Sequence, residues 1–187
     1  GTGIILHTGL GRAPVSRKIV KNAMAKVYPY TNLELDIKSG KRGERTHHVT
    51  DLLNSLTGSE SAVVVNNNAA AVLLMLNTLA EGKEVIISRG EQVEIGGSFR
   101  IPDVILKSGC KMVEVGTTNK THLSDYKDAI TKDTGAIMVA HTSNYKVMGF
   151  THSVDLMELG QLAEKKRIPL IVDLGSGAMA NFQNLNL

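Results

Sequence analysis

The chain is predicted to be an α/β protein, a three-layer sandwich with a mostly parallel sheet. Short apolar runs recur at Ala62–Val65, Glu84–Ser88, Met112–Val115, Ala136–Ala140 and Pro169–Leu174. Helical patterns separate them. The runs do not alternate between apolar and polar residues, as strands wetted on one face would. Such strands belong to a parallel sheet covered by helices on both faces.

Taken in order, Ser16–Val27 predicts a helix on which Arg17, Lys18, Lys21 and Lys26 form a solvated face. A glycine-bearing loop follows at Ser39–Arg45, then a helix at Val49–Leu56. Ser61–Leu79 is the most informative stretch. Val63, Val64 and Val65 suit a buried strand, and Asn68–Leu79 has the length and the Ala/Leu content of a helix. Asn66, Asn67 and Asn68 then stand at a strand-to-helix switch, where free N–H groups and the positive end of a helix dipole favour an anion. An ordinary N-cap accounts for one asparagine; three in succession point to a phosphate cradle. Further helices are expected at Ile101–Lys107, at Ser124–Ile130 with Ser124 as its cap, and at Asp155–Lys166.

With 42% hydrophobic and 21% charged residues, the 187-residue chain has the profile of a globular protein with one core. A single domain over 1–187 is expected. The lone Cys110 excludes an internal disulfide and most cysteine-based zinc sites. It opens the apolar stretch Cys110–Val115, which reads as a buried thiol. No apolar run approaches a membrane span and the start does not read as a signal peptide, so a cytoplasmic location is expected. Gly1 rather than Met begins the sequence, Gly3–His7 already reads as mid-structure, and the chain stops soon after a strong strand signal. A fragment of a larger protein is therefore expected.

Charge is unevenly spread. Residues 1–45 hold nine Lys/Arg against Glu34, Asp36 and Glu44, although the whole chain is only +3. A basic N-terminal third favours an anionic partner, whether a phosphorylated ligand, an acidic substrate or nucleic acid. Lys41, Arg42 and Arg45 fall in the loop, where a solvated helix face does not explain them.

In parallel α/β sheets, ligands sit at the carboxyl ends of the strands. The polar residues after each expected strand should converge there: Asn66–Asn68, then Arg89–Gln92, then His141, Ser143, Asn144 and Tyr145, and finally Asp173–Gly177. Asp173 is the sharpest case. The run IPLIVDLGSG sets a carboxylate at the end of a buried strand, where an uncompensated charge is costly. A cationic heterocycle such as the protonated pyridine of pyridoxal phosphate (PLP) would compensate it. Hydrogen bonds from the amides of Gly175–Gly177 would do so equally well, and both readings stand.

The segments TGIILHTGLGRAP, NLELDIKSGKRGER, LTGSESAVVVNNNAAAVLLMLN, SRGEQVEIGGSFRIPDV, EVGTTNKTH, HTSNYKVMGFT and DLGSG closely resemble the L-seryl-tRNA(Sec) selenium transferases, the bacterial selenocysteine synthases. The resemblance runs over nearly the whole chain. It implies part of the large domain of a fold-type-I PLP-dependent transferase. It further implies conversion of seryl-tRNA(Sec) to selenocysteinyl-tRNA(Sec) with selenophosphate, and a homo-oligomer. By the same resemblance Asn66, Asn67, Asn68 and Ala69 form the phosphate loop of PLP, and Asp173 partners its pyridine nitrogen. Glu91 and Gln92 cover the ring face, and His141, Ser143 and Asn144 line the ring. Arg42 and Arg45 bind the selenium donor, a task suited to arginine's planar fork. The cofactor-linking lysine is expected beyond Leu187, and neither Lys120 nor Lys146 sits in a matching motif. The family's N-terminal domain, associated with tRNA binding, is also missing, so the 187 residues alone are expected to be inactive.

Other readings remain: a PLP-dependent lyase acting on a small amino acid, or a non-catalytic module for tRNA binding or assembly. Gly175–Ala180 fits the dinucleotide pattern G-x-G-x-x-A, but too few residues follow for the acidic ribose-binding position. A dinucleotide-binding oxidoreductase is accordingly disfavoured. His7, His47, His48, His122 and His152 show no metal-ligand spacing. Most read as surface or capping residues, while His7 could line the site.

Overall fold

A computed structural model describes residues 14–175. The chain divides into two compact units, Gly1–Val63 and Val64–Leu187, where the sequence suggests one domain. The expectations placed on His7, on the segment around Gly3, and on Ser176 to Ala180 lie outside the described residues.

In the first unit, α1 (Arg17–Val27) starts at Ser16, whose hydroxyl accepts the Ile19 N–H at 3.3 Å. Lys26 in the last turn suits the negative helix end. The loop after it is tied by Asp36, which accepts from the Ser39 N–H at 2.9 Å, and by an isolated antiparallel bridge between Leu35 and Arg42. α2 (His47–Thr57) closes on Gly58, whose left-handed backbone sends its N–H to the Asn54 carbonyl at 2.8 Å. No described side chain of this unit is buried.

The second unit carries the core. α3 (Asn68–Ala80) leads into β1 (Glu84–Ser88); a small antiparallel pair, β2 (Glu94–Ile95) and β3 (Phe99–Arg100), follows. After it come α4 (Ile101–Lys107), β4 (Lys111–Val115), α5 (Leu123–Ala129), β5 (Thr134–Ala140), α6 (Leu156–Lys166) and β6 (Leu170–Asp173). The main sheet has the order β4-β1-β5-β6, and every pairing in it is parallel.

Why the runs do not alternate is plain from the two cores. Val85 and Ile87 of β1, with Ala136, Met138 and Ala140 of β5, pack against α3 and α4. Ile86 and Ile137, between them in sequence, pack on the other face with Tyr126, Leu159, Leu162 and Ala163 of α5 and α6. Both faces are covered, giving the three layers. α3 buries Val72, Leu76 and Ala80, one residue per turn on a single stripe. Gly135 fits because a Cβ there would stand 2.9 Å from the Cβ of Ala80, so this helix end seats directly on β5.

Two expectations are corrected. Ala62–Val65 is not a strand: Val63 and Val64 are more than half exposed, and no described strand pairs with them. The asparagines therefore follow a segment outside the sheet rather than a sheet strand. α5 is not capped by Ser124; its N-cap is His122, because the Asp125 carboxylate reaches back to the His122 N–H at 2.8 Å. Ser124 already lies inside the helix. No described helix is long and apolar enough to cross a membrane.

Candidate active site

The carboxyl ends of β1, β5 and β6 meet around a cavity of about 470 Å³. β6 ends on Asp173, a residue only 7% exposed. Its Oδ1 accepts from the Asn68 side-chain amide at 2.8 Å and from the Gly175 N–H at 2.9 Å. The first bond joins residues 105 positions apart. It ties the start of α3 to the end of β6, two of the sets predicted to converge. Among the described residues no partner reaches Oδ2, which leaves one buried carboxylate oxygen able to take a further donor.

Each asparagine has a different task. Asn67 is the N-cap of α3, its Oδ1 accepting from the Ala70 N–H at 2.8 Å. Asn68 is directed at Asp173. Asn66 is exposed. The N–H groups of Asn68 and Ala69, in the first turn of a 13-residue helix, find no acceptor among the described residues. This is the donor arrangement a phosphate requires.

Glu91 ends a tight turn, Arg89–Glu91, that β1 feeds into the cavity. The Ser88 hydroxyl accepts the Gly90 N–H at 3.2 Å, and the Tyr145 hydroxyl donates to the Gly90 carbonyl. A Cβ on Gly90 would stand 2.8 Å from the Thr118 carbonyl oxygen, so only glycine allows this approach. Held this way, Glu91 accepts the Ala140 N–H through Oε2 at 3.3 Å. Burial pushes its carboxyl from the ordinary range up to about 7, against the opposing pull of that N–H. The Ser88 and Thr121 hydroxyls share a buried hydrogen bond of 2.7 Å. Burial, helped by the nearby Glu91 charge, raises the Tyr126 and Tyr145 phenols.

The remaining expected residues divide. His141 lines the cavity, and its N–H donates to the Asp173 carbonyl at 3.0 Å. Ser143 lies beside it, its N–H on the His141 carbonyl at 2.8 Å, and both side chains border Gly175. The Asn144 side-chain amide donates to the Glu94 carbonyl at 2.8 Å. Gln92 donates to Glu114 at 2.8 Å, in company with Arg89, so its amide is taken up on the β4 side. The asparagines and Ser143 are not part of the cavity wall itself. Arg42 and Arg45 belong to the other unit, where both are exposed and both pair with Glu34.

The sequence reading missed a further group. His122 and His152 stack with ring centroids 4.3 Å apart, and His152 Nδ1 bonds the Thr121 carbonyl at 2.8 Å on the cavity wall. Thirty residues separate these histidines, so no local spacing announces the pair.

A family model described as L-seryl-tRNA selenium transferase matches residues 1–187. The L-seryl-tRNA(Sec) selenium transferase of Alkaliphilus metalliredigens is 56% identical over 187 residues, covering 100% of this chain and 40% of that protein. The enzyme of the same name from Pasteurella multocida is 55% identical over 186 residues, again covering 40% of its length. The chain thus spans about two fifths of the length of these curated relatives. Among solved structures, D-glucosaminate-6-phosphate ammonia-lyase superposes with a TM-score of 0.76 at 19% identity, over 94% of this chain and 48% of that one. An aminotransferase from Psychrobacter cryohalolentis gives 0.57 at 18% identity, over 90% and 39%. At these identities the likeness is one of fold.

Proposed function

We propose, for a chain that belongs to the L-seryl-tRNA selenium transferase family, that the complete protein converts seryl-tRNA(Sec) to selenocysteinyl-tRNA(Sec) with selenophosphate and PLP. The observation that carries this reading is the Asn68–Asp173 bond. It sets a buried carboxylate beside a helix start, and among the described residues one carboxylate oxygen and the first-turn N–H groups have no partner.

PLP has an anionic phosphate at one end and a basic pyridine nitrogen in its ring. The residues present suit both. The first-turn N–H groups of Asn68 and Ala69 would hold the phosphate, and Asp173 Oδ2 would take the proton-bearing nitrogen. Asn68 and Gly175 keep Asp173 oriented at that position. His141 and Ser143 border the same strand end, and Glu91 closes the β1 side of the cavity. When bound, the cofactor supplies an electron sink for charge at the substrate α-carbon. Arg42 and Arg45 would grip the phosphate of the selenium donor, exchanging their present carboxylate partner Glu34 for it.

The test is reconstitution of the complete protein with PLP, seryl-tRNA(Sec) and selenophosphate, reading selenocysteinyl-tRNA(Sec) by mass. Product is expected from the parent. Arg42→Ala is expected to raise the selenophosphate concentration required by about ten- to a hundredfold while leaving the cofactor absorbance intact. A parent that turns over free amino acids but not seryl-tRNA(Sec) would overturn the substrate reading.

A further inference from the structure

We propose that Glu91 is the acid that protonates the seryl hydroxyl as it leaves, a role that rests on the function proposed above. Hydroxide is a poor leaving group, and replacing a seryl hydroxyl requires that its oxygen depart as water. The Cα–H electron pair forms the Cα=Cβ bond, and the α-proton passes to the amine of the lysine expected beyond Leu187. The Cβ–O pair stays on oxygen, which takes the proton of the Glu91 carboxyl; Glu91 is left as a carboxylate and is reprotonated from solvent.

Position favours Glu91. Its carboxyl lies on the Ala140 N–H at the end of β5, and Ala140 is register-paired with Asp173 on β6. Neighbouring strands run about 4.8 Å apart, so the proposed donor stands one strand away from the residue assigned to the cofactor ring. The turn carrying it is fixed at Ser88, at Thr118 and at Tyr145, which leaves the side chain little freedom to swing out of the cavity. Tyr126 from α5 and Tyr145 from the loop after β5 face it, both with phenols raised further from ionisation. His141, Lys146 and Asp173 share the cavity, as do Lys120 and His152 on its far wall, yet no described cation forms a salt bridge with Glu91. Arg89, next to it in the turn, is paired with Glu114 instead. A half-buried carboxyl without a cation keeps its proton near neutrality, the state a leaving-group acid needs.

Glu91→Gln keeps the size and the contact with Ala140 but removes the exchangeable acid. In the complete, PLP-loaded protein, E91Q is expected to keep the parent's exchange of the seryl α-hydrogen with D2O. Selenocysteinyl-tRNA(Sec) formation should fall by about 10²- to 10⁴-fold, the range for loss of a general acid. The parent's rate should fall as pH rises through about 7, and E91Q should lack that limb. Product formation at the parent's rate would overturn the assignment, and so would an equal loss of exchange and product, which marks a residue that merely holds the ligand. A second readout needs neither cofactor nor variant: the infrared band of a protonated carboxyl should disappear from the cofactor-free parent as pH rises through neutrality. Its absence below neutrality would also overturn the proposal. A parent with product but no cofactor absorbance would instead overturn the PLP reading, and this inference with it.

Discussion

Asn67 and Asn68 are adjacent, yet they serve different ends. Asn67 caps α3 and Asn68 holds Asp173. Replacing Asn67 by Ala removes a side-chain cap and is expected to cost about 1 kcal/mol of stability, read as a lower urea midpoint, with PLP retained. Asn68→Ala leaves the Ala69 N–H in place but removes a donor from Asp173, so dialysis should strip the cofactor more readily. The reverse pattern would place the cofactor contact on the cap. Glu91 adds a pH dependence with a definite sign. Its carboxyl is raised from 4.5 to about 7 in the fold, so the neutral form is the one the fold favours. Stability from this group is full below about pH 4.5 and falls as the unfolded chain ionises. It is lost once pH passes about 7, where both states are charged. Glu91→Gln should therefore stabilise the protein at pH 8, by about 3 kcal/mol at most, and change little at pH 4. Denaturant titrations at the two pH values decide it.

Element by element, the sequence is readable where described helices cover a segment on both faces. β1, β4, β5 and β6 lie where the apolar runs place them, because each is sealed between helices that the pattern also shows. Ala62–Val65 has the same composition and fails as a strand for want of a described partner; a strand exists only by pairing, and pairing is not written in a single segment. The site divides in the same way. Asp173 and the asparagines are legible because a charge on a buried strand and donors at a helix start each have a local cost or use. Gln92 and Asn144 are not, since their amides are claimed by Glu114 and Glu94 from distant positions. The stripe of α3 offers a measure of how firmly the phosphate end is seated. Leu76 is fully buried, so Leu76→Ala should cost about 2–5 kcal/mol, seen as a lower melting temperature. A change below about 1 kcal/mol would mean that the helix can collapse onto the vacated space, and that β1 and β5 are packed against it less tightly than their contacts indicate.

At the scale of the whole molecule, the two units are unequal. The second owns the buried core, the cavity and the carboxylates; the first shows no buried side chain among its described residues. Under the proposed function, the part of the reaction assigned to this chain is recognition of a phosphate, a pyridine nitrogen and a leaving group. Covalent attachment requires an amine, and the described cavity has only Lys120 and Lys146 to offer. Both are exposed and lie outside the helices and strands of the sheet. A lysine that carries a cofactor is instead held where burial and neighbours depress its proton affinity. The cofactor-bearing peptide of the complete protein should therefore map to sequence after Leu187 when the PLP-loaded form is reduced with borohydride and digested. Scattered, substoichiometric labelling of surface lysines would accompany it. One label per chain on Lys146 or Lys120, lost together with activity when that residue is changed to Ala, would move the attachment into the loop wall. It would also mean that Asp173 faces a group other than the pyridine nitrogen.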